Sequence, residues 1–212
     1  MLWSHTLIGI MYGGIITLIQ KLKVKNIIIS KQKEDNDNLK EFLKIIENKN
    51  NNIILVEAGK RLEIEKDIYI DILWPSDNSK VSENILNNNS IVAKINYNKV
   101  SILFTGDIEE KAEKEILLKY KINENILKAN ILKVAHHGSK SSSSEEFLER
   151  VSPDIAIIGV GKNNKFGHPN KEVINNILKY KTEIYRTDKD GEIKVKTDGI
   201  RIIEVITNRE NK

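Results

Sequence analysis

The apolar residues of this chain follow two different periods. Over residues 39–46 they recur at positions i, i+3, i+4 and i+7, which predicts one face of an amphipathic helix. Over residues 62–72 they mostly alternate with polar or charged residues, which predicts a hairpin with one solvated face. Short apolar runs such as 26–30 and 53–56 are typical of buried strands. This mixture favours sheets flanked by helices.

The second half of the chain continues the alternation of strands and helices. Strands are predicted over 90–97, 100–105, 131–135, 155–160, 183–186, 193–196 and 200–206. Helices are predicted between them over 108–120, 144–151 and 169–178, with Ser144 as an N-cap. Because no internal repeat and no long linker interrupts the pattern, we expect one domain over residues 1–212.

Composition limits the chemistry that the chain can support. Cysteine is absent, so disulfides, Fe–S clusters and thiolate zinc sites are excluded, and any metal must be held by Asp, Glu or the four histidines. The net charge of +4 is dispersed among Asp and Glu, which favours solubility over a nucleic-acid patch. The first twenty residues carry no Lys, Arg, Asp or Glu, but their three glycines and the missing basic flank favour a buried loop and helix over a membrane span.

Three polar stretches each follow a predicted strand: Thr105-Gly106-Asp107, His136-His137-Gly138-Ser139 and Gly167-His168-Pro169. Side chains at strand ends project into the space above a sheet, where ligands collect. Each stretch also has a structural interpretation. Asp107 is a preferred N-cap for the next helix, the histidine pair suits a solvated loop, and His168 suits a helix cap.

In this order, with helices between them, the three stretches resemble the metallo-β-lactamase domain of the ComEC-type competence family. The run Tyr185–Asp188 followed by Asp190–Gly191 resembles that family's closing strands. The resemblance is best over residues 84–206, and residues 1–30 resemble a remnant of the first metal-motif region. It implies an α/β (α+β) fold, an αββα metallo-β-lactamase-like sandwich that is incomplete at the N-terminus.

The resemblance also implies a metal-dependent site. In the family, two divalent ions such as Zn or Mn are bridged by an Asp and a hydroxide and act on phosphoryl groups. Carried over residue by residue, it implies His5, Asp107 and His137 as metal ligands and His136, His168 and Ser139 as catalytic residues beside the substrate.

The chain departs from the family at the main metal motif, His-x-Asp-x-Asp-His or His-x-His-x-Asp-His. With His5 as its first residue, the next ligand positions hold Leu7, Gly9 and Ile10, whose side chains cannot bind a metal. Because catalytic zinc normally has three protein ligands, we expect weak or no binding of a metal pair and low hydrolase activity.

Three functions stay open on these grounds. The first is a hydrolase of phosphodiesters that acts on single-stranded DNA during uptake. The second is a catalytically inactive remnant, and the third is a module that binds nucleic acid or a protein partner. The family's domain is attached to a membrane competence channel and faces outwards, so DNA and that channel are the expected partners, with no small-molecule cofactor. Without a channel, this chain alone is expected in the cytoplasm.

Overall fold

The computed structural model describes residues 2–3, 16–17, 19, 21–30, 42–46, 51–76 and 81–208. The strands in these ranges are β1 (Leu2–Trp3), β2 (Asn26–Ser30), β3 (Asn52–Val56), β4 (Arg61–Glu65), β5 (Ile68–Trp74), β6 (Val92–Tyr97), β7 (Val100–Phe104), β8 (Ile131–Lys133), β9 (Ile155–Ile158), β10 (Glu183–Arg186), β11 (Ile193–Thr197) and β12 (Ile202–Thr207). The helices are α1 (Ile85–Asn88), α2 (Glu110–Lys119), α3 (Glu145–Val151), α4 (Lys171–Lys179) and α5 (Thr187–Asp190), with 3₁₀ turns at Glu124–Ile126 and Ala135–Gly138. Residues 16–17, 19, 21 and 42–46 are also helical.

Seven strands form a mixed central sheet in the order β10-β9-β8-β7-β6-β5-β4. Strands β4 to β7 pair antiparallel as a meander, whereas β7, β8, β9 and β10 are parallel to one another. The carboxyl ends of these four parallel strands therefore meet at one edge of the sheet. A second sheet contains β1, β2 and β3 in parallel, and β11 pairs with β12 as an antiparallel hairpin.

Alternating side chains of β2 bury both faces of the smaller sheet. Ile27 and Ile29 pack in one cluster with the helical residue Phe42. Ile28, between them, packs in another cluster with Ile72 of the central sheet. The smaller sheet thus lies between a helical layer and the central sheet. Successive side chains of a strand point to opposite faces, so consecutive apolar residues of β2 are buried on both sides.

The opposite face of the central sheet is covered by helices. Leu103 of β7 and Leu132 of β8 share a core with Ile116 of α2, Phe147 of α3 and Ile177 of α4, and all five side chains are buried. Each such burial stabilises the fold by about 1.5–3 kcal/mol. The layers are therefore helix, sheet, sheet and helix, which confirms the predicted αββα sandwich.

The local signals for helix starts are also confirmed. Ser144 caps α3 by accepting a hydrogen bond from Phe147 N at 3.4 Å, and Asn170 caps α4 by accepting from Glu172 N at 2.9 Å. The strand predicted over 131–135 ends at Lys133, because the following residues turn into the 3₁₀ segment. Within the described ranges, none of the helices has the length and apolar character that crossing a bilayer requires.

Candidate active site

The three polar stretches meet at the carboxyl edge of the parallel strands. Asp107 follows β7, His136 and His137 follow β8, and His168 lies in the long loop after β9. The backbone joins the first two stretches directly, because His136 N donates to Gly106 O at 3.1 Å. Thr105 Oγ1 donates to Lys133 O at 2.6 Å and ties the same two strand ends together.

Asp107 is almost completely buried, with 4% of its side chain exposed. Its backbone N–H donates to Ser90 Oγ at 3.2 Å, whereas its Oδ1 atom has no hydrogen-bond partner among the described residues. The N-cap of α2 is Glu109, so Asp107 does not cap that helix. An unpaired buried carboxylate oxygen costs free energy that a bound cation or a donor would offset.

His137 presents one ring nitrogen to Asp107. Its Nδ1 lies 2.6 Å from Gly159 O, and because a carbonyl only accepts, Nδ1 carries the proton and the Nε2 lone pair is left available. Nε2 lies 3.8 Å from Asp107 Oδ1, and 44% of the side chain is exposed. A carbonyl that fixes the tautomer in this way is the usual support of a metal-binding histidine.

The backbone of the histidine pair is strained in a way that separates the two rings. His136 has φ 46° and His137 has φ 55°, both in the left-handed region that non-glycine residues rarely adopt. The ring centroids are 6.5 Å apart. His136 turns towards Glu109, with Nδ1 3.5 Å from Oε1, while His137 faces Asp107. Strain of this kind, about 1–3 kcal/mol per residue, persists where the surrounding structure fixes it.

His168 completes the group of imidazoles. Its ring meets the edge of His136 at a centroid distance of 5.8 Å. The side chain of Asn164 holds the backbone of His168, donating to its O at 2.7 Å and accepting from its N at 2.9 Å. Burial lowers the pKa of His168, and the neighbouring His136 and His137 lower it further. His168 is therefore neutral near pH 7 and can donate one hydrogen bond.

A glycine brings the loop of the histidine pair against the loop of His168. Gly138 has φ 77°, and a Cβ atom at this position would lie 2.6 Å from Pro169 Cβ. Asn170 N donates to Gly138 O at 2.8 Å across the same contact. The close approach and the positive φ both require glycine here.

Ser139 lies in a hydrogen-bonded chain beneath the site. Its Oγ atom is 3.1 Å from Ser141 Oγ, which donates to Glu109 Oε1 at 3.1 Å. Ser139 is itself buried. Its contact with a substrate, inferred from the family resemblance, stays a prediction.

Two charged residues beside the site were not predicted. Glu109 approaches His136 through Oε1 and accepts from Asn84 Nδ2 at 2.8 Å through Oε2. Burial lowers the pKa of Lys133, an effect that the charge of Asp107 partly opposes, and Lys133 Nζ donates to Val134 O at 2.9 Å. The sequence signals were their positions, two residues after Asp107 and at the end of an apolar strand, but position alone indicated no partner.

The described residues fit part of the implied metal site. Asp107 Oδ1 and His137 Nε2 form a two-point contact for a cation, and His5, the other inferred ligand, lies outside the described residues. Among the residues that the structure describes, no three His, Asp or Glu side chains form a group that could hold a metal ion. The described residues therefore supply two of the three protein ligands that a catalytic zinc site normally has.

Sequence relatives match the chain over most of its length. ComE operon protein 3 of Bacillus subtilis is 34% identical over 176 residues, which are 83% of this chain and 22% of that protein. This chain is a relative of the ComEC-type competence proteins. Competence protein ComA of Neisseria gonorrhoeae is 32% identical over 124 residues, 58% of this chain and 17% of that protein. Recombination protein 2 of Haemophilus influenzae is 37% identical over 109 residues, 51% of this chain and 13% of that protein.

The chain spans 13% to 22% of the length of these curated relatives. These relatives confirm the resemblance to the ComEC family that the three polar stretches around Asp107, His136–His137 and His168 indicated. No family model matches the chain. Among solved structures, a mutant of CmlA β-hydroxylase is similar at a TM-score of 0.49 and 11% identity, over 76% of this chain and 38% of that one.

Proposed function

We propose that this chain carries a phosphodiester-directed hydrolase site of the ComEC lineage, with a weakened metal site and single-stranded DNA as its substrate. One observation carries the proposal. The buried Oδ1 atom of Asp107 has no hydrogen-bond partner among the described residues and lies 3.8 Å from the available Nε2 atom of His137. A carboxylate and a tautomerically fixed imidazole at this separation suit a shared divalent cation.

Asp107 and His137 would hold the divalent ion, and a bound ion would activate water near neutral pH and stabilise charge on a phosphoryl oxygen. The chain's own residues supply the surroundings. Neutral His168 can donate a hydrogen bond to a phosphodiester oxygen, and its edge contact with His136 fixes its orientation. Glu109 Oε1 lies 3.5 Å from Nδ1 of the second imidazole, His136, and this nitrogen is buried and has no hydrogen-bond partner among the described residues.

The same geometry supports reduced activity. The two ligand atoms that the described residues supply would bind a divalent ion weakly, because structural and catalytic zinc sites normally use three or four protein ligands. Turnover is therefore slow at metal concentrations that saturate a complete site. The names of the relatives, competence proteins and a recombination protein, support DNA as the substrate and a competence channel as the partner.

A second candidate function is a nucleic-acid-binding module that does not hydrolyse its ligand. It is favoured by the lack of a three-ligand group within the described ranges. A catalytically inactive remnant of a competence protein would have the same geometry. The hydrolase shows metal-dependent turnover, whereas the binding module and the inactive remnant do not.

Turnover of methyl p-nitrophenyl phosphate and of an end-labelled single-stranded oligonucleotide tests the proposal. The chain is first freed of metal with a chelator and then given Mn²⁺ or Zn²⁺. We expect slow, metal-dependent hydrolysis that is lost in Asp107→Asn and in His137→Ala. Asp67→Asn is the matched control, since Asp67 is exposed in the β4–β5 turn with φ 64°, a conformation that Asn tolerates. Absence of turnover with both metals would refute the hydrolase and leave the binding module.

A further inference from the structure

An exposed aromatic ring lies at the outer end of the candidate site. Phe166 is 80% exposed, and its ring stacks on His168 at a centroid distance of 5.8 Å and an interplanar angle of 18°. His168 in turn contacts His136, whose neighbour His137 faces Asp107. The rings thus form a continuous line from the protein surface to the unpaired carboxylate.

The loop that presents Phe166 is held by its own hydrogen bonds. Asn164 Nδ2 donates to Gly161 O at 3.2 Å and to His168 O at 2.7 Å, and Asn164 Oδ1 accepts from His168 N. None of these bonds involves the Phe166 side chain. Since a largely exposed ring buries little apolar area, the fold gains little stability from Phe166.

Single exposed hydrophobic residues are common, so exposure alone indicates no function. The other large hydrophobic side chains that the structure describes as exposed are aliphatic, for example Ile122 and Leu118. Phe166 differs from them in its aromatic face and in its stacking on a residue of the candidate site. These two properties together point to a ligand with a flat ring.

Positive charge accompanies the ring. Lys165 and Lys162 are both exposed on the same loop, and Lys165 makes no ion pair within the described ranges. Exposed lysines beside an aromatic ring are the combination that proteins use for single-stranded nucleic acids, with the cations near the phosphates and the ring against a base.

We infer that Phe166 is a stacking platform for one base of a single-stranded nucleic acid whose backbone passes His168 towards Asp107 and His137. The placement of the backbone rests on the proposed function, whereas the stacking contact does not. Every base has a π-face, so the platform tolerates any sequence. Bases of a duplex are already stacked and paired, so the same contact discriminates against double strands.

Binding without metal tests this inference separately from hydrolysis. Fluorescence anisotropy with the full chain, in the presence of a chelator, compares labelled (dT)12 with an abasic strand of the same length and with a duplex. We expect (dT)12 to bind more tightly than the abasic strand and the duplex. Phe166→Ala should weaken (dT)12 binding by about ten-fold or more, to the level of the abasic strand, and leave abasic binding unchanged.

Two further variants sharpen the result. Phe166→Trp should keep the affinity for (dT)12, and its added indole fluorescence should be quenched by (dT)12 but not by the abasic strand. Ile122→Ala, which removes a fully exposed side chain away from the site, should change neither affinity. A (U)12 strand should also bind more weakly to Phe166→Ala than to the unaltered chain, since stacking accepts the bases of RNA as well as those of DNA.

Equal affinity of the unaltered chain for (dT)12 and the abasic strand would overturn the inference, as would tighter binding of the duplex or an unchanged affinity in Phe166→Ala. Lack of any oligonucleotide binding would overturn it too. The proposed function is tested by a different measurement, which is the metal-dependent turnover of methyl p-nitrophenyl phosphate by the unaltered chain. This substrate contains no base, so its turnover does not depend on stacking. If the chain binds (dT)12 through Phe166 but hydrolyses neither substrate, the stacking inference holds and the proposed hydrolase function is refuted.

Discussion

Nε2 of His137 lies 3.8 Å from Oδ1 of Asp107, while Nδ1 of the same ring is held 2.6 Å from the carbonyl oxygen of Gly159. The relationship is a product of the parallel strands. β7 delivers Asp107, β8 delivers His137, and β9 delivers Gly159, all at one edge of the central sheet. The imidazole of His137, the carbonyl oxygen of Gly159 and the carboxylate of Asp107 therefore lie close together, although each residue follows a different strand.

Replacing Gly138 should separate the two loops that carry the histidines. Gly138→Ala must adopt φ 77° and place Cβ 2.6 Å from Pro169 Cβ, so we expect a loss of stability of roughly 3 kcal/mol or more. Gly167→Ala is the matched control, since it has φ 70° but no atom within 4 Å of the added Cβ, and should lose only about 1 kcal/mol. Urea unfolding of both variants measures the difference, and equal losses would show that the Pro169 contact does not restrict position 138.

His168 should titrate below the ordinary histidine range. Burial lowers its pKa from 6.5, and His136 and His137 add to the effect. We expect an NMR midpoint for its ring proton below 6.5, rising only part of the way towards that value in His136→Asn, because burial remains. Because the unfolded chain binds this proton more readily, the contribution of His168 to stability falls as pH drops below 6.5. A midpoint at or above 6.5 would contradict the described surroundings of the ring.

Glu113 should make stability depend on pH. Its carboxylate is fully buried in α2 and accepts hydrogen bonds from Ser143 N and Ser144 N, which fix the start of α3. Burial raises the pKa of Glu113 from 4.5 to about 7, although those hydrogen bonds lower it. The folded chain therefore binds more protons than the unfolded chain between these values. The resulting stabilisation is fully present below pH 4.5 and is lost as pH rises through about 7.

Glu113→Gln removes this titration. Urea unfolding from pH 4.5 to pH 8 should show the unaltered chain losing stability relative to the variant, by an amount on the order of 2 kcal/mol. Glu115→Gln is a suitable control, because Glu115 is on the same helix, is only partly buried and is not among the groups that shift the pKa of Glu113. Parallel pH profiles for the unaltered chain and Glu113→Gln would contradict a buried, titrating carboxyl.

The convergence of Asp107, His136, His137 and His168 could be anticipated from the sequence. Each follows an apolar run with the length of a strand, and parallel strands with helical crossovers end at a common edge. The αββα layering could be anticipated only through the family resemblance, because the runs that form β2 and β3 do not show which sheet they join. The catalytic and ligand roles of these residues stay predictions.

Other features of the site depend on contacts between distant segments. Glu113 occupies a position that looks solvated in the helical pattern, and it is buried because Ser143 and Ser144, thirty residues further along, donate to it. The left-handed backbone of His136 and His137 breaks the preference of non-glycine residues and has no sequence signal. Such local exceptions are imposed by tertiary structure, and they concentrate where chemistry is expected.

Paramagnetic broadening of the histidine ring resonances by Mn²⁺ tests most directly whether Asp107 and His137 form a cation site. We expect the His137 ring signals to broaden at the lowest Mn²⁺ concentrations, those of His136 and His168 to follow, and all three effects to disappear in Asp107→Asn. Equal broadening of the His137 ring in the unaltered chain and in Asp107→Asn, or no broadening at millimolar Mn²⁺, would contradict the site.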